Sequence, residues 1–303
     1  MDTVHRFLFD DLDIRGSLVQ LGPAWRALCA VRNYAPAARN LLGELAAVTT
    51  IIGGNLKAPG RVRFQLQGQG PISLLVMDCD EQLRLRGMAR GAPLYDAAPH
   101  AAVSPAPSSN GLLNPSLDKT ISAHDLLGDG QLLFTLQTAG AEPYQSLIPN
   151  DGDTMADIFE HYLTQSEQQP ARLWLAADAN NACGLFLQKL PNADLRDADG
   201  WNRIEQLAAT VRPDELALPP ATLLTRLFSE ENLHLFTSRT VTWHCPRDEE
   251  KIRNLLLTMG REEVAEIIAD TGAIAIADEI CGHEYHFGPE IIDELFPPAR
   301  MLH

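Results

Sequence analysis

Basic residues are scarce in this sequence of 303 residues, in which 24 Lys and Arg side chains accompany 40 Asp and Glu side chains. The formal net charge at pH 7 is −16. Nucleic-acid affinity comes largely from clustered Lys and Arg side chains that release counterions from the phosphate backbone. The charge therefore argues against a nucleic-acid partner. No apolar run approaches the length of a membrane span, so no membrane partner is expected either.

Cysteine is rare as well. The five cysteines are odd in number and scattered along the chain: Cys29, Cys79, Cys183, Cys245 and Cys281. They are too sparse for the disulfide framework of a secreted domain. The amino-terminal segment contains four aspartates and lacks the basic and then apolar build of a secretory signal. These absences predict a cytoplasmic protein in a reducing compartment.

Motifs that mark common enzymes are also missing. The sequence contains no G-x-S-x-G nucleophile elbow, no G-x-x-x-x-G-K-[ST] phosphate loop and no H-E-x-x-H metal-binding helix. Each of these spacings places a nucleophile, a phosphate cradle or a pair of metal ligands in the geometry that its reaction needs. Their absence predicts a protein that is not an enzyme.

Two short segments near the carboxyl terminus carry the most informative pattern. The first holds Cys245 and Arg247, the second holds Asp278 and Cys281, and 35 residues separate the two cysteines. A four-thiolate zinc site built from two loops needs two ligands per loop, two to four positions apart. Here an arginine, which is always cationic, and an aspartate, which offers a hard oxygen, occupy the partner positions. A complete four-thiolate site is therefore excluded.

A β-hairpin is predicted in the first third of the chain. Residues 61–67 alternate apolar and polar side chains, and residues 72–77 are nearly all apolar. Gly68 and Gly70 lie at the turn between them, where glycine permits backbone angles that other residues avoid.

Helical patterns occur on both sides of a further strand. Apolar residues recur at helical spacing in residues 37–48 and 153–165, with Asp153 as the predicted N-cap of the second helix. Residues 131–137 predict a strand. Because strands and helices mix without a regular βαβ repeat, the sequence predicts an α+β fold.

Proline divides the rest of the chain. Residues 93–111 are rich in Pro and Ser, which predicts a surface loop. Apolar residues at helical spacing in residues 204–211 and 223–228 predict short helices connected by prolines. Farther on, Pro246 is predicted to begin a helix that Gly260 ends. A second helix and a strand complete a small module.

These features, in this order, resemble the heat-shock protein 33 family of redox-regulated holdase chaperones. That family pairs a C-x-C motif with a C-x-x-C motif some thirty residues later. Cys245 and Arg247 stand at the first pair of positions, and Asp278 and Cys281 at the second. Further segments that precede the cysteines are similar to family segments and occur in the same order as in the family: residues 65–71, 85–89, 152–156, 166–173, 184–191 and 224–231.

The resemblance implies three regions. The first is a large N-terminal α+β core and client-binding domain of mixed sheet and helix (1–180). A helical linker region (181–240) and a small C-terminal α+β redox-switch-like module (241–303), similar to a degenerate zinc-binding domain, follow it. In the family the linker is metastable, which makes its apolar stripe a candidate client-binding face, although such stripes equally predict core. The stripe consists of Leu223, Leu224, Leu227 and Phe228.

The resemblance also implies function. It implies an ATP-independent holdase that binds unfolded or partly folded client proteins, and it leaves open a homodimer on activation. The reduced form of such a chaperone holds zinc, whereas the oxidised form contains disulfides, unfolds its switch region and captures clients. The alternative is an interaction or regulatory module that has lost holdase activity together with its cysteines.

Three arrangements around the two cysteines remain open. Zinc is retained with substitute ligands drawn from Asp278, His283, His244 or His286. Alternatively, Cys245 and Cys281 form a disulfide. In the third arrangement, Arg247 and Asp278 pair as ions in a module without metal, since opposite charges at vacated ligand positions attract. We expect no bound metal and keep zinc as the less favoured alternative.

Overall fold

The computed structural model describes residues 2–91, 122–149 and 152–297. These residues fall into two compact units, Met1–Trp243 and His244–His303. Both units mix helices and strands, and the predicted α+β class is confirmed. The predicted Pro-rich loop at residues 93–111 lies outside the described residues.

The described elements alternate irregularly along the chain. The strands are β1 Thr3–Phe9, β2 Ile14–Leu21, β3 Gly60–Gln67, β4 Ile72–Cys79, β5 Arg84–Gly91, β6 Gln131–Thr138, β7 Tyr144–Pro149, β8 Ala171–Ala177, β9 Ala182–Lys189, β10 Leu233–Leu235, β11 Arg239–Thr240, β12 Thr242–Trp243, β13 Ile274–Ala277 and β14 Glu284–Phe287. The helices are α1 Pro23–Ala30, α2 Pro36–Asn55, α3 Ala123–Leu127, α4 Met155–Glu167, α5 Ala193–Arg196, α6 Gly200–Ala208, α7 Pro220–Leu227, α8 Glu249–Met259, α9 Arg261–Thr271 and α10 Glu290–Leu295.

The first unit contains two sheets. The first sheet has the strand order β10-β1-β2-β9-β8 with antiparallel neighbours, and β11 also pairs with β1. The second sheet has the order β12-β5-β4-β3-β6-β7, in which only the β12–β5 pair is parallel. The predicted hairpin is β3–β4, and the strand predicted at residues 131–137 is β6.

The turn of the hairpin requires glycine at positions 68 and 70, but not for the predicted reason. Neither Gly68 nor Gly70 has a positive φ. A Cβ atom on Gly68 would lie 2.5 Å from the carbonyl oxygens of Ile72 and Leu127, and one on Gly70 would lie 2.6 Å from the oxygen of Leu126. Close approach of neighbouring backbone therefore requires glycine here, not an unusual backbone angle.

The helix α2 packs against strands of both sheets. The stripe predicted over residues 37–48 belongs to this helix, which continues to Asn55. Thr49 and Thr50 are buried near its end, and their hydroxyls donate to the carbonyl oxygens of Leu45 and Ala46. Back-bonding of this kind satisfies a buried hydroxyl inside the helix. α2 can therefore be buried on nearly every side.

The N-cap of α4 is Thr154, one residue after the predicted Asp153. Its hydroxyl accepts from the amide of Asp157, and the Asp157 carboxylate accepts from the amide of Thr154. This reciprocal arrangement satisfies two amides that the first turn leaves without helical partners.

Residues 181–240, predicted as a separate linker region, are grouped with the first unit. β9 lies between β2 and β8 in the first sheet. The helices that follow pack on this sheet in a hydrophobic cluster that includes Phe7, Phe9 and Ile204. Hydrogen bonding within the sheet and apolar burial on its face integrate the segment into this unit.

The candidate client-binding stripe lies in the same cluster. Leu223, Leu224, Leu227 and Phe228 are all buried. The ring of Phe228 meets that of Phe9 edge to face, with 5.0 Å between centroids. The stripe is therefore part of the core in this structure, which agrees with the core alternative, and its role as a client-binding face stays a prediction.

The second unit has a small core of its own. Side chains of α8, α9, α10 and the β13–β14 hairpin form one cluster, built from Ile252, Leu256, Val264, Ile268, Ile274, Tyr285, Phe287 and Ile291. Its first helix begins at Glu249, not at Pro246, because the Asp248 carboxylate caps it by accepting from the amide of Lys251 at 3.0 Å. Gly260 follows its last residue, as predicted.

Candidate functional site

The two cysteines of the second unit form a disulfide. Cys245 lies before α8 and Cys281 in the turn between β13 and β14. Their Cα atoms are 5.6 Å apart, within the range that a disulfide spans without backbone distortion. Both side chains are buried, at 9% and 5% exposure. Of the three arrangements open from the sequence, the structure contains the disulfide.

Asp278 shapes the turn that carries Cys281. Its Oδ1 atom accepts from the amides of Ile280 at 2.8 Å and Cys281 at 3.0 Å. Its own amide donates to the carbonyl oxygen of His283, and its carbonyl accepts from the amide of Gly282, which has a φ of 67°. An aspartate that accepts from amides two and three residues ahead stabilises a tight turn. The carboxylate thus holds backbone at the position where the family pattern has a thiolate.

Arg247 contacts β14. Its Nη1 atom donates to the carbonyl oxygen of Glu284 at 3.1 Å, and its guanidinium carbon lies 5.6 Å from the ring centroid of Tyr285. The contacts described here join Arg247 to β14 and Asp278 to backbone amides, and the ion pair of Arg247 with Asp278 stays a prediction. Arg247 still connects the first cysteine segment to the second.

The histidines near the disulfide do not converge on one point. The Nε2 atom of His283 lies 2.7 Å from the carbonyl oxygen of Cys245, so this ring joins the two cysteine segments. His286 lies 3.6 Å from the carboxylate of Glu284 on an exposed face. The side chain of His244 is exposed.

These residues do not fit the zinc ion that the family resemblance implies. The two sulfur atoms are bonded to each other, Arg247 cannot ligate, and the Asp278 carboxylate accepts from backbone amides. His283 directs a ring nitrogen at a carbonyl oxygen. Within residues 2–91, 122–149 and 152–297, no group of three or more His, Cys, Asp or Glu side chains is arranged to hold a metal.

The other cysteines are poor thiolates. Burial, together with the nearby carboxylates of Asp80 and Asp78, raises the pKa of Cys79 to about 12. Burial also raises the pKa of Cys29 and of Cys183 to about 11. Since the thiolate is the reactive form, oxidants act at these three sites far more slowly than at an exposed cysteine.

Tyr285 is a member of the site that sequence reasoning missed. Its hydroxyl accepts from the amide of Asp248 at 2.8 Å, and its ring is buried in the core of the second unit. It therefore joins the segment after Cys245 to the strand after Cys281. The alternation of polar and apolar residues in β14 was a signal that Tyr285 is buried. No pattern in the sequence indicated which group its hydroxyl would bind.

Comparison with known proteins assigns the chain to a protein family. A protein-family model described as Hsp33 protein matches residues 2–288. The chain belongs to the Hsp33 family. The 33 kDa chaperonin of Methylobacillus flagellatus is 35% identical over 305 residues, an alignment that covers 99% of this chain and 96% of that relative. The 33 kDa chaperonin of Nitrosococcus oceani is 36% identical over 297 residues, covering 97% and 94%.

A solved structure agrees with this Hsp33 assignment at the level of fold. The crystal structure of a 33 kDa chaperonin from Thermotoga maritima superposes with a TM-score of 0.78 at 18% identity, covering 97% of this chain and 98% of that one. Hsp33 proteins are chaperones and not enzymes, as the missing catalytic motifs predicted. Among the described residues, none of the helices has the length and apolar character that crossing a membrane requires.

Proposed function

We propose that this Hsp33 family member is an ATP-independent holdase that binds unfolding proteins and prevents their aggregation. The observation that carries the proposal is the family match over residues 2–288 together with an apolar surface covered by short helices. Its relatives carry the name chaperonin. The cytoplasm is the proposed compartment, and a homodimer on activation is part of the proposal.

The proposed client-binding surface is the face of the first sheet beneath α6 and α7. Phe7, Phe9 and Leu185 contribute to it from the strands, and the helices cover it with Leu224 and Phe228. Separating the helices from the sheet would expose both apolar sides. Contiguous exposed apolar surface of this kind binds partly unfolded chains.

The proposed switch differs from a zinc switch. In the arrangement described, a disulfide joins the two segments that a metal would otherwise connect. Reduction would remove this cross-link, whereas an oxidant would maintain it. We therefore propose that peroxide does not activate this protein, and that heat or reduction does.

The test is the aggregation of a thermally unfolding client, followed by light scattering without nucleotide. The chain is added as isolated, after reduction, and after peroxide treatment, and each sample is also preheated. We expect suppression of aggregation by the preheated and reduced samples and no gain from peroxide.

Two results would contradict this proposal. If no treatment protects unrelated clients, the chain is an interaction module without holdase activity. If peroxide treatment activates the protein and releases stoichiometric zinc, the holdase activity stands but the altered switch does not.

A further inference from the structure

A cavity of about 240 Å³ opens beside β8 in the first unit. Its walls are mainly apolar, and Glu44 of α2 is its only ionisable lining residue. The other lining residues are Thr154, Ala156, Leu173, Trp174, Leu175, Val211, Pro213 and Leu216. Side chains from three places in the sequence thus enclose one carboxylate.

The Glu44 carboxylate has no counter-charge. Among the described residues, no hydrogen bond or ion pair reaches it, and Thr154 uses its hydroxyl to cap α4. Burial raises the pKa of Glu44 to about 7. A partly buried carboxylate without a partner is costly to ionise, so an added cation in this cavity gains more than it would in water.

The cavity lies along one edge of the first sheet. β8 is the last strand of the first sheet. The amide of Leu173 is turned toward this edge, since it donates to Oε1 of Glu160 at 2.6 Å. Alternate residues of a strand direct their backbone groups to the same side, which places the amide of Leu175 on this edge too. Since Glu160 occupies the Leu173 amide, the backbone of an extended peptide beside β8 would bind at Leu175, next to the cavity.

We infer that this cavity is a subsite for a lysine side chain of a bound, extended polypeptide. The ammonium group would pair with the Glu44 carboxylate, and the methylene stem would lie against Val211, Pro213 and Leu216. Trp174 offers a ring at the cavity wall, which suits a cation with an apolar stem. The inference rests on the proposed function, because the polypeptide is a client, and it concerns the form in which residues 211–216 still lie beside β8, before α6 and α7 separate from the sheet.

The probe for the subsite is n-butylammonium, which reproduces the end of a lysine side chain. It is titrated into the full chain at pH 8, where Glu44 is ionised, and followed by NMR chemical shifts. We expect saturable shifts in residues 154–156, 173–175 and 211–216, and at least tenfold weaker binding at pH 5. Neutral n-butanol should bind at least tenfold more weakly than the ammonium at pH 8.

Two substitutions complete the test. Glu44→Gln keeps the shape of the side chain and removes its charge, so binding should fall at least tenfold. Glu230→Gln is the matched control, because Glu230 is exposed and lies outside the cavity. Equal binding by the Glu44→Gln variant and the unmodified protein, or shifts confined to other residues, would overturn the inference.

A client assay separates this inference from the proposed function. Suppression of aggregation is compared for a lysine-rich client and for the same client with acetylated lysines. The subsite is supported if the unmodified protein protects the acetylated client less well than the lysine-rich one, and if the Glu44→Gln variant protects both equally. Equal protection of both clients rejects the subsite alone, whereas protection of neither rejects the holdase proposal.

Discussion

Asp278 is a small residue with a large effect on local backbone. Its carboxylate accepts from two consecutive amides, and its own amide and carbonyl close the turn with His283 and Gly282. The side chain thus organises, through hydrogen bonds, the loop that carries a metal ligand in the family pattern.

Substituting Asp278→Ala should loosen this turn. Two amides lose an acceptor in a partly buried place, which we expect to lower the stability of the second unit by about 1–2 kcal/mol. Since all four tryptophans lie in the first unit, hydrogen exchange in α8 and α9 is the suitable measurement. Exchange there should accelerate about fivefold to thirtyfold.

The control for that substitution is Glu266→Ala. Glu266 is exposed on α9, and alanine favours helix. Exchange in the second unit should therefore change little. If Asp278→Ala behaves like this control, the turn does not depend on the carboxylate.

Glu44 should make the stability of the first unit depend on pH. Its pKa rises from 4.5 in the unfolded chain to about 7 in the folded one, so the folded state binds the proton more tightly. The contribution to stability is present at low pH and is lost as pH rises from about 4.5 to about 7, on the order of 3 kcal/mol at most.

Glu44→Gln should remove this dependence. Urea unfolding followed by tryptophan fluorescence should show the variant more stable than the unmodified protein at pH 8 and nearly equal to it at pH 5. Glu230→Gln should have the same small effect at both pH values. A variant destabilised at pH 8 would mean that the Glu44 carboxylate has a stabilising partner.

At the scale of elements, α7 and the residue after it cover the first sheet. Phe228 contributes its buried ring and its contact with Phe9. Truncating a buried phenylalanine usually costs about 3–5 kcal/mol. Here the lost stability would mainly weaken the packing of the short helix α7 against the sheet, because other elements also stabilise the sheet.

In the Phe228→Ala variant, α7 should therefore separate from the first sheet before the first unit unfolds. We expect stronger binding of a fluorescent apolar dye and suppression of client aggregation at a lower activation temperature. Phe236→Ala is the matched control, because Phe236 is 42% exposed and its loss should change neither signal. Increased dye binding without any protection of clients would argue against this sheet face as the client-binding surface.

For the whole molecule, the stability of the second unit depends on one cross-link. The cysteines are 36 positions apart in a unit with a small core. Closing a loop of this length restricts the unfolded chain by about 3–4 kcal/mol. Units of this size commonly need such a cross-link or a metal.

Reduction should therefore unfold the second unit. Because reduction is also proposed to activate the chain, α6 and α7 should loosen while the strands of the first unit stay folded. Hydrogen exchange with and without a reductant should show loss of protection in α8, α9, β14, α6 and α7, with β3 and β4 unchanged. The Cys245→Ser variant should behave like the reduced protein in both conditions. Unchanged protection after reduction would show that the apolar core of the unit suffices.

Metal should not restore the reduced unit. After incubation with zinc and removal of free ion, we expect far less than one zinc per chain, because the substituted positions offer a cation and an already engaged carboxylate. Metal analysis of the reduced protein measures this directly. Stoichiometric zinc with recovered exchange protection would contradict it.

Much of the architecture was predictable from local pattern. The β3–β4 hairpin and α2 follow from apolar periodicity, and α8 follows from its acidic first turn and from Gly260 at its end. Both kinds of signal depend on neighbouring residues alone. The predicted N-cap of α4, Asp153, lies one residue before the observed one, Thr154. Both residue types are good caps, and only the reciprocal partner Asp157 distinguishes them. The leucine stripe of α7 was ambiguous, since a buried stripe and a binding stripe have the same pattern.

The sequence by itself determined the family, the α+β class and the loss of a four-thiolate site, because these depend on which residues stand in which order. Only the tertiary structure decided that the cysteines are bonded, that Arg247 and Asp278 serve separate backbone groups, and that Glu44 lies unpaired in a cavity. Those outcomes depend on distances between residues far apart in the chain. Local periodicity carries no information about such distances.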